Sequence, residues 1–176
     1  MRSWTLWIIM ALLILLSGCS EVNSEYLNME LNPGIDTIEL GTPHIDAFAQ
    51  ASYGLRTLDV VIIFTDVDIH RVGTYEIVYE ATYGGISKVI RRKVNVVDQT
   101  APVVVLNPGI DTVMIGETWN DSGVEAIDES EISSITVSGD VVDSVGDYTI
   151  TYTVTDVHGN TTTIIRIVSV MAPMSS

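Results

Sequence analysis

Cysteine and basic side chains are what this chain has least of. Its 176 residues include a single cysteine, Cys19, so the sequence offers neither a disulfide framework nor a zinc site built from several thiolates. Eight Lys and Arg residues stand against 23 Asp and Glu residues, giving a formal net charge of −15. Because a polyanion would be repelled and no basic stripe is present, we exclude nucleic acid as a partner.

Long apolar runs are also scarce, and the one that stands out lies at the N-terminus. Residues 4–16 carry no charge and follow Arg2. As a helix they would measure about 20 Å, which is short of the roughly 30 Å hydrocarbon core of a bilayer. The run ends in an aliphatic residue, two small residues and a cysteine (residues 16–19, LSGC), which resembles the bacterial lipobox. We therefore predict a signal peptide over residues 1–18 and acylation of Cys19.

An acylated Cys19 would make the lipid bilayer the first partner of this chain. A single acyl chain anchors only marginally, whereas the two or three chains (palmitate among them) expected on a bacterial lipoprotein hold firmly. We therefore expect a cell-membrane location, on the extracytoplasmic face, with residues 19–29 as a lipidated tether.

The rest of the sequence repeats itself once. Residues 31–37 and 106–112 are identical (LNPGIDT), residues 72–79 match 145–152, and residues 92–96 match 166–170. The offsets of 75, 73 and 74 residues place small insertions between the matched segments, as loops permit. We predict two homologous domains, residues 30–98 and 99–171, joined by a short linker that Pro102 stiffens.

The apolar pattern of the second copy has a period of two. Residues 148, 150, 152 and 154 are apolar or aromatic and alternate with threonines, which is typical of a strand with one buried face. Short strands are expected at 103–106, 112–115, 123–127, 135–138 and 161–170, each bounded by turn residues. About seven strands per copy without helical periodicity predict an all-β chain of two tandem immunoglobulin-like sandwiches. Tyr75 and Tyr148 suit a tyrosine corner.

Residues 98–170 resemble the bacterial Ig-like domains that also occur in pesticidal crystal proteins and hyalin-like repeats. The matching segments are 98–102 (DQTAP), 121–124 (DSGV), 145–148 (VGDY), 155–160 (TDVHGN) and Arg166. The first copy departs from this pattern at Gly84-Gly85 and at residues 48–50. The resemblance implies a spacer or adhesion module, and it implies no catalytic residues.

The motifs that would point to an enzyme are not present. The sequence has no Gly-x-Ser-x-Gly elbow, phosphate loop or His-Glu-x-x-His pair. His44, His70 and His158 have no second His or Cys at metal-binding spacing, and we interpret them as solvated loop residues. Arg91, Arg92 and Lys93 form the only basic run, which alternation splits between two faces, and we interpret it as a solvated sheet face. We predict that the chain is not an enzyme.

Acidic residues crowd the loops that an Ig-type fold would bring to the junction of the two copies. We predict a calcium site there, because calcium takes six to eight oxygen ligands; otherwise these are solvated loop acids, and no other cofactor is expected. The candidate ligands are Asp66, Asp68, Asp98, Asp128, Glu129, Glu131, Asp156 and Asn160.

Three functions remain open from the sequence. The first is a membrane-anchored, non-enzymatic binding or adhesion lipoprotein whose partner is an unknown surface protein or glycan. The second is a calcium-stiffened structural spacer without its own ligand. The third is a carbohydrate-binding accessory module, which depends on Trp119 being a ligand contact; the alternative is that Trp119 packs against the sandwich.

Charge is distributed unequally between the copies. Residues 20–98 hold 12 acids and 6 bases, whereas residues 99–176 hold 11 acids and one base. Because the tether of residues 19–29 is short, we expect the less acidic first copy to lie next to the anionic lipid surface.

Overall fold

The computed structural model describes residues 22–173, which form strands connected by turns. The predicted signal peptide and Cys19 lie outside the described residues. Within them the helical content is one 3-10 turn, Ser24–Tyr26, and no helix is long and apolar enough to cross a membrane. The strands are β1 (Leu27–Leu31), β2 (Thr37–Glu39), β3 (Ala49–Tyr53), β4 (Arg56–Leu58), β5 (Val61–Thr65), β6 (Gly73–Tyr83), β7 (Ile86–Val97), β8 (Val103–Leu106), β9 (Thr112–Met114), β10 (Val124–Ile127), β11 (Ile132–Ser138), β12 (Gly146–Asp156) and β13 (Thr161–Met171).

The two copies repeat one sheet arrangement. In the first, β1-β3-β4 form one sheet and β2-β7-β6-β5 the other; in the second, β8 pairs with β10 and the larger sheet has the order β11-β12-β13-β9. In each copy a three-residue strand joins the long last strand in parallel, β2 on β7 and β9 on β13, while the remaining pairs are antiparallel. The predicted all-β, Ig-like sandwich class is confirmed.

The strand predictions for the second copy are close to the observed bounds. The alternation at 148–155 places Ile150, Tyr152 and Val154 inward, each at most 2% exposed. The same period continues one step further, so Asp156 at the end of β12 also points inward and is 2% exposed. Extending an inward-facing row by one residue is what buries this carboxylate.

The core of the second copy joins both of its sheets. Ile150, Tyr152 and Val168 of the larger sheet form a buried cluster, and Leu106 of β8 and Val124 of β10 pack against it from the smaller sheet. Burial of these apolar faces stabilises the sandwich by about 25 cal/mol per Å² removed from water. The tyrosine corner is present in both copies, since the Tyr148 hydroxyl donates to the Ser144 carbonyl at 2.7 Å and Tyr75 donates to the Arg71 carbonyl at 2.6 Å.

The basic run on β7 is not a solvated face throughout. Alternation separates its members as expected, but Arg92 points inward and is 2% exposed, and Arg166 does the same in the second copy. The Arg92 guanidinium donates to the carbonyls of Asn32 and Phe48 at 2.5 and 3.0 Å. The prediction of a solvated face is therefore wrong for Arg92, because its guanidinium donates hydrogen bonds to carbonyls of neighbouring loops instead of to water.

Contacts divide the chain into two compact units that do not follow the copies. One unit takes residues up to 34, 47–65 and 76–92, and the other takes residues 35–46, 66–75 and 93 onward. The long strands β6 and β7 run through both units, which is why the division cuts across the first copy. Strand β1 begins at Leu27, inside the predicted tether, and Leu27 is 1% exposed.

Candidate metal centre

Three of the predicted calcium ligands meet at the ends of strands. Asp98 follows the last residue of β7, Asp128 follows β10, and Asp156 ends β12. One carboxylate oxygen from each lies within 4.8 Å of the others. The side chain of Asp98 is 1% exposed and that of Asp156 is buried. Three carboxylates at this spacing form an oxygen-rich centre of the kind a hard cation prefers.

Asn160, the one predicted ligand that is not an acid, lies at the same centre. Its side-chain amide donates to Asp156 Oδ2 at 2.8 Å and to the backbone carbonyl of Asp98 at 3.2 Å. In this orientation the positive end of the amide dipole faces the carboxylates and partly offsets their repulsion.

Local hydrogen bonds explain how Asp156 stays charged although it is buried. Burial alone would raise the pKa of Asp156, but hydrogen bonds from the Asn160 side chain and from the backbone N–H groups of Asn160, His158 and Gly159 outweigh it, so the pKa lies below its usual value. The Asp128 side chain also bonds its own turn, since its Oδ1 accepts from the backbone N–H and hydroxyl of Ser130 at 2.8 and 2.9 Å. These are Asx turns, in which a carboxylate stabilises its own loop.

His158 belongs to this centre, and the sequence interpretation missed it. Its Nδ1 lies 2.9 Å from Asp98 Oδ2. The interpretation as a solvated loop residue is incomplete, because the ring is 31% exposed but bound to a buried carboxylate. The sequence feature that could have identified His158 was its position in the β12–β13 turn, between the predicted ligands Asp156 and Asn160.

The other four predicted ligands are not part of this group among the described residues. Asp66, Asp68, Glu129 and Glu131 are all exposed. Asp68 accepts from the backbone N–H of His70 at 3.0 Å, and the Glu129 side chain lies against Gly41. Whether calcium binds at all stays a prediction.

A second polar cluster surrounds Arg166. Its guanidinium donates to Asp111 at 2.8 Å and to the carbonyls of Asn107 and Gly123 at 2.7 and 3.1 Å. The hydrogen bond with Asp111 raises the pKa of Arg166, and burial followed by a hydrogen bond to Asp121 raises the pKa of Tyr152. The partners are backbone carbonyls and structural side chains, so the cluster joins the loops before β9 and β10 to strand β13.

Trp119 is half-buried and packs against the core cluster of Ile150, Tyr152 and Val168. Its indole N–H donates to the Ile110 carbonyl at 3.1 Å. Two open depressions of about 360 and 640 Å³ flank the ring. The geometry agrees with the packing alternative, and a sugar contact at Trp119 stays a prediction.

Comparison with known proteins gives one family. Residues 110–170 match the family model described as bacterial surface protein, Ig-like domain, and no curated protein matches the chain. The matched segment runs from the loop before β9 nearly to the end of β13. It lies within residues 98–170, for which the sequence predicted a bacterial Ig-like domain.

Solved structures give distant likenesses. A lipoprotein of Bacteroides thetaiotaomicron is 16% identical over 82% of this chain and 100% of its own, with a TM-score of 0.35. A protocadherin gammaB7 fragment is 14% identical over 82% of this chain and 50% of its own, with a TM-score of 0.36. An endo-fucoidan hydrolase of glycoside hydrolase family 107 is 12% identical over 69% of this chain and 25% of its own, with a TM-score of 0.29. At these values none carries an argument about function, and it is the match at residues 110–170, together with the all-β fold, that supports an Ig-like domain of a bacterial surface protein.

Proposed function

We propose that this chain is a membrane-anchored, non-enzymatic binding or adhesion lipoprotein of the extracytoplasmic face. The observation that carries the proposal is the order of its parts: an apolar run, the LSGC motif ending at Cys19, and directly afterwards a chain whose second copy matches a surface-protein family. Two or three acyl chains on Cys19 would hold the protein firmly at a membrane.

The buried polar groups support a non-enzymatic role. Arg166 is bound by loop carbonyls, and Asp156 is bound by the backbone of its own turn. Catalytic groups are usually left free to face a substrate in a cleft. Here the polar groups hold loops on the sandwich, which suits a module whose surface binds a partner protein or glycan.

Acylation of Cys19 is tested on the full chain expressed in a bacterium. The wild-type protein should enter the detergent phase of a Triton X-114 separation and carry acyl chains by mass spectrometry, and Cys19→Ala should stay uncleaved or become soluble. Ser20→Ala is the matched control, because it changes the next residue and should leave processing intact. A Cys19→Ala protein that is cleaved and anchored like wild type would show that the lipoprotein proposal is wrong.

The second candidate function is a calcium-stiffened spacer. The carboxylates of Asp98, Asp128 and Asp156, within 4.8 Å of one another, favour it. A cation shared by three loop ends would fix those loops and stiffen the module. The competing explanation is that each carboxylate serves its own turn.

Thermal unfolding with calcium or chelator decides between these explanations. A site filled at 100 times its dissociation constant should add about 2.7 kcal/mol to the free energy of unfolding. Asp128→Asn should remove the calcium effect, whereas Asp140→Asn, at an exposed loop acid, should keep it. No shift at millimolar calcium, or an equal shift in Asp128→Asn, would exclude the site.

A further inference from the structure

The first copy carries a group of aromatic and aliphatic side chains next to Val22, where the described chain begins; Tyr26 and Leu55 are exposed, and Tyr53 and Tyr83 are half-buried. We define this tip as Tyr26, Tyr53, Leu55, Arg56 and Tyr83. Tyr26 precedes β1, the next three lie at the β3–β4 turn, and Tyr83 ends β6.

The tip is built by ring packing around two turns. The rings of Tyr53 and Tyr83 stack with centroids 4.3 Å apart, and Tyr26 meets Tyr53 edge-on at 6.1 Å. The Arg56 guanidinium lies 5.5 Å from the centroid of Tyr83. At the turn itself, Gly54 has a φ of +58° and Leu55 is 107% exposed, so Leu55 projects fully into solvent.

The chain that leads to Cys19 is fastened to this tip. The backbone N–H of Asn23 donates to the Tyr53 hydroxyl at 3.1 Å. The Val22 side chain lies so close to Gly84 that a Cβ there would come within 2.5 Å of it. Two residues lie between Cys19 and Val22, so these two positions are at most about 11 Å apart. An acylated Cys19 would therefore hold Val22, which lies against Gly84 beside the tip, within about 11 Å of the lipidated residue.

The chemistry of the tip fits that surface. Tyrosine is enriched at membrane interfaces, where its ring is buried and its hydroxyl stays hydrated. Segments 20–27, 53–56 and 83–88 contain two bases, Arg56 and Lys88, and two acids, Glu21 and Glu25, so they are neutral in a chain that otherwise has far more acids than bases. A single exposed leucine would need no explanation. A fully exposed leucine beside three tyrosines, close to the predicted anchor, does need one.

We propose that the tip docks on the membrane surface, with Leu55 entering the acyl boundary and the tyrosines lying among the lipid headgroups. This rests on the proposed lipid anchor. Docking would give the first copy a second attachment to the membrane besides the acyl chains.

The test uses the lipidated full chain in vesicles with anionic lipid. Cys19 is the only cysteine, so acylation leaves the wild-type protein without a free thiol, and Leu55→Cys introduces one for an environment-sensitive fluorophore. Val142→Cys is the matched control, because Val142 is an exposed apolar loop residue (51%) of the second copy. We expect a blue shift at position 55 and quenching by lipids that carry a quencher near the headgroup, with neither at position 142.

The possible outcomes distinguish failure of the docking proposal from failure of the proposed lipid anchor. A wild-type protein that accepts the fluorophore has a free Cys19, which overturns the lipid anchor and the docking with it. An anchored protein whose position 55 stays hydrated overturns the docking alone. A blue shift that occurs in detergent and grows with protein concentration shows that a second copy covers the tip, and it overturns membrane docking. A blue shift that occurs only when cell-wall glycan is added shows that a sugar covers the tip, and it also overturns membrane docking.

Discussion

Arg92 and Arg166 occupy equivalent positions in the two copies, and each is 2% exposed. A buried guanidinium needs acceptors for its charged N–H groups, and in both copies two loop carbonyls accept from the terminal Nη2. Each arginine therefore holds two loops through charge-assisted hydrogen bonds from one rigid guanidinium group. The same arrangement of one buried arginine and two loop carbonyls is therefore present in both copies.

Replacing Arg166 with methionine should lower the free energy of unfolding by about 3 kcal/mol, since Asp111 and the partly buried carbonyls of Asn107 and Gly123 lose their donor. Urea denaturation measures it. Arg91→Met is the control: Arg91 pairs with Glu76 at 3.4 Å with 61% of its side chain exposed, so its loss should cost under about 1 kcal/mol. Equal losses in the two variants would contradict the structural role of Arg166.

At the scale of elements, the long hairpin β12–β13 is the framework of the second copy. The pairing of β12 with β13 extends from Gly146 opposite Val170 to Thr155 opposite Thr161. Strand β11 pairs with β12 along its other edge, with a β-bulge between Ile132 and Ser134. Gly139 directly follows the last residue of β11. It has a φ of +100°, and a Cβ there would come within 2.2 Å of the Thr149 carbonyl oxygen of β12. Only glycine allows the chain to leave β11 so close to β12.

Gly139→Ala should therefore lower the free energy of unfolding by more than about 2 kcal/mol, because backbone strain and a clash with backbone add together. Gly159→Ala is the matched control, since Gly159 has a φ of +92° with nothing within 4 Å of the added Cβ, and it should cost about 1 kcal/mol from strain alone. Chemical denaturation of the two variants gives the comparison. If Gly139→Ala is the milder change, the close approach of β11 and β12 is not as described.

At the scale of the whole molecule, the net charge of −15 makes the response to acid informative. Two carboxylates have lowered pKa values: Asp156 for the reasons given above, and Glu39 through hydrogen bonds from the backbone N–H of Gln99 and from Thr100. A group with a lowered pKa in the folded state contributes stability above its unfolded pKa and loses it as the pH falls through the folded value.

We expect the free energy of unfolding to fall as the pH drops below about 4, near the unfolded pKa values of about 3.9 for Asp and 4.3 for Glu. Thermal unfolding across a pH series measures it. Asp156→Asn keeps an acceptor oxygen but cannot titrate, so its stability should depend less steeply on acid pH than that of wild type. Asp140→Asn, at an exposed acid, should follow the wild-type curve, and an unchanged slope in Asp156→Asn would contradict the prediction.

The sequence by itself determined what depends on local pattern. Alternation of apolar and threonine residues specifies the strands and their inward faces, because side chains in a strand alternate between its two sides. The identical segments 31–37 and 106–112 indicated the repeated arrangement, and Tyr75 and Tyr148 indicated the two corners. Asp98, Asp128 and Asp156 were among the expected calcium ligands because they lie in loops that an Ig-type fold would bring to the junction of the two copies.

What only the tertiary structure decided depends on contacts between residues far apart in the chain. Alternation put Arg92 on the inward face but could not show that loop carbonyls some 44 and 60 positions away would bind it. His158 meets Asp98, also 60 residues away, and Asp66 and Asp68 lie outside the aspartate group. The aromatic tip likewise forms only when the turns after β3 and β6 close beside the N-terminal segment. The charge and hydrophobicity of a residue can be read from the sequence, whereas its burial and its hydrogen-bond partners depend on how the whole chain packs. These features could therefore not be obtained from the sequence pattern alone.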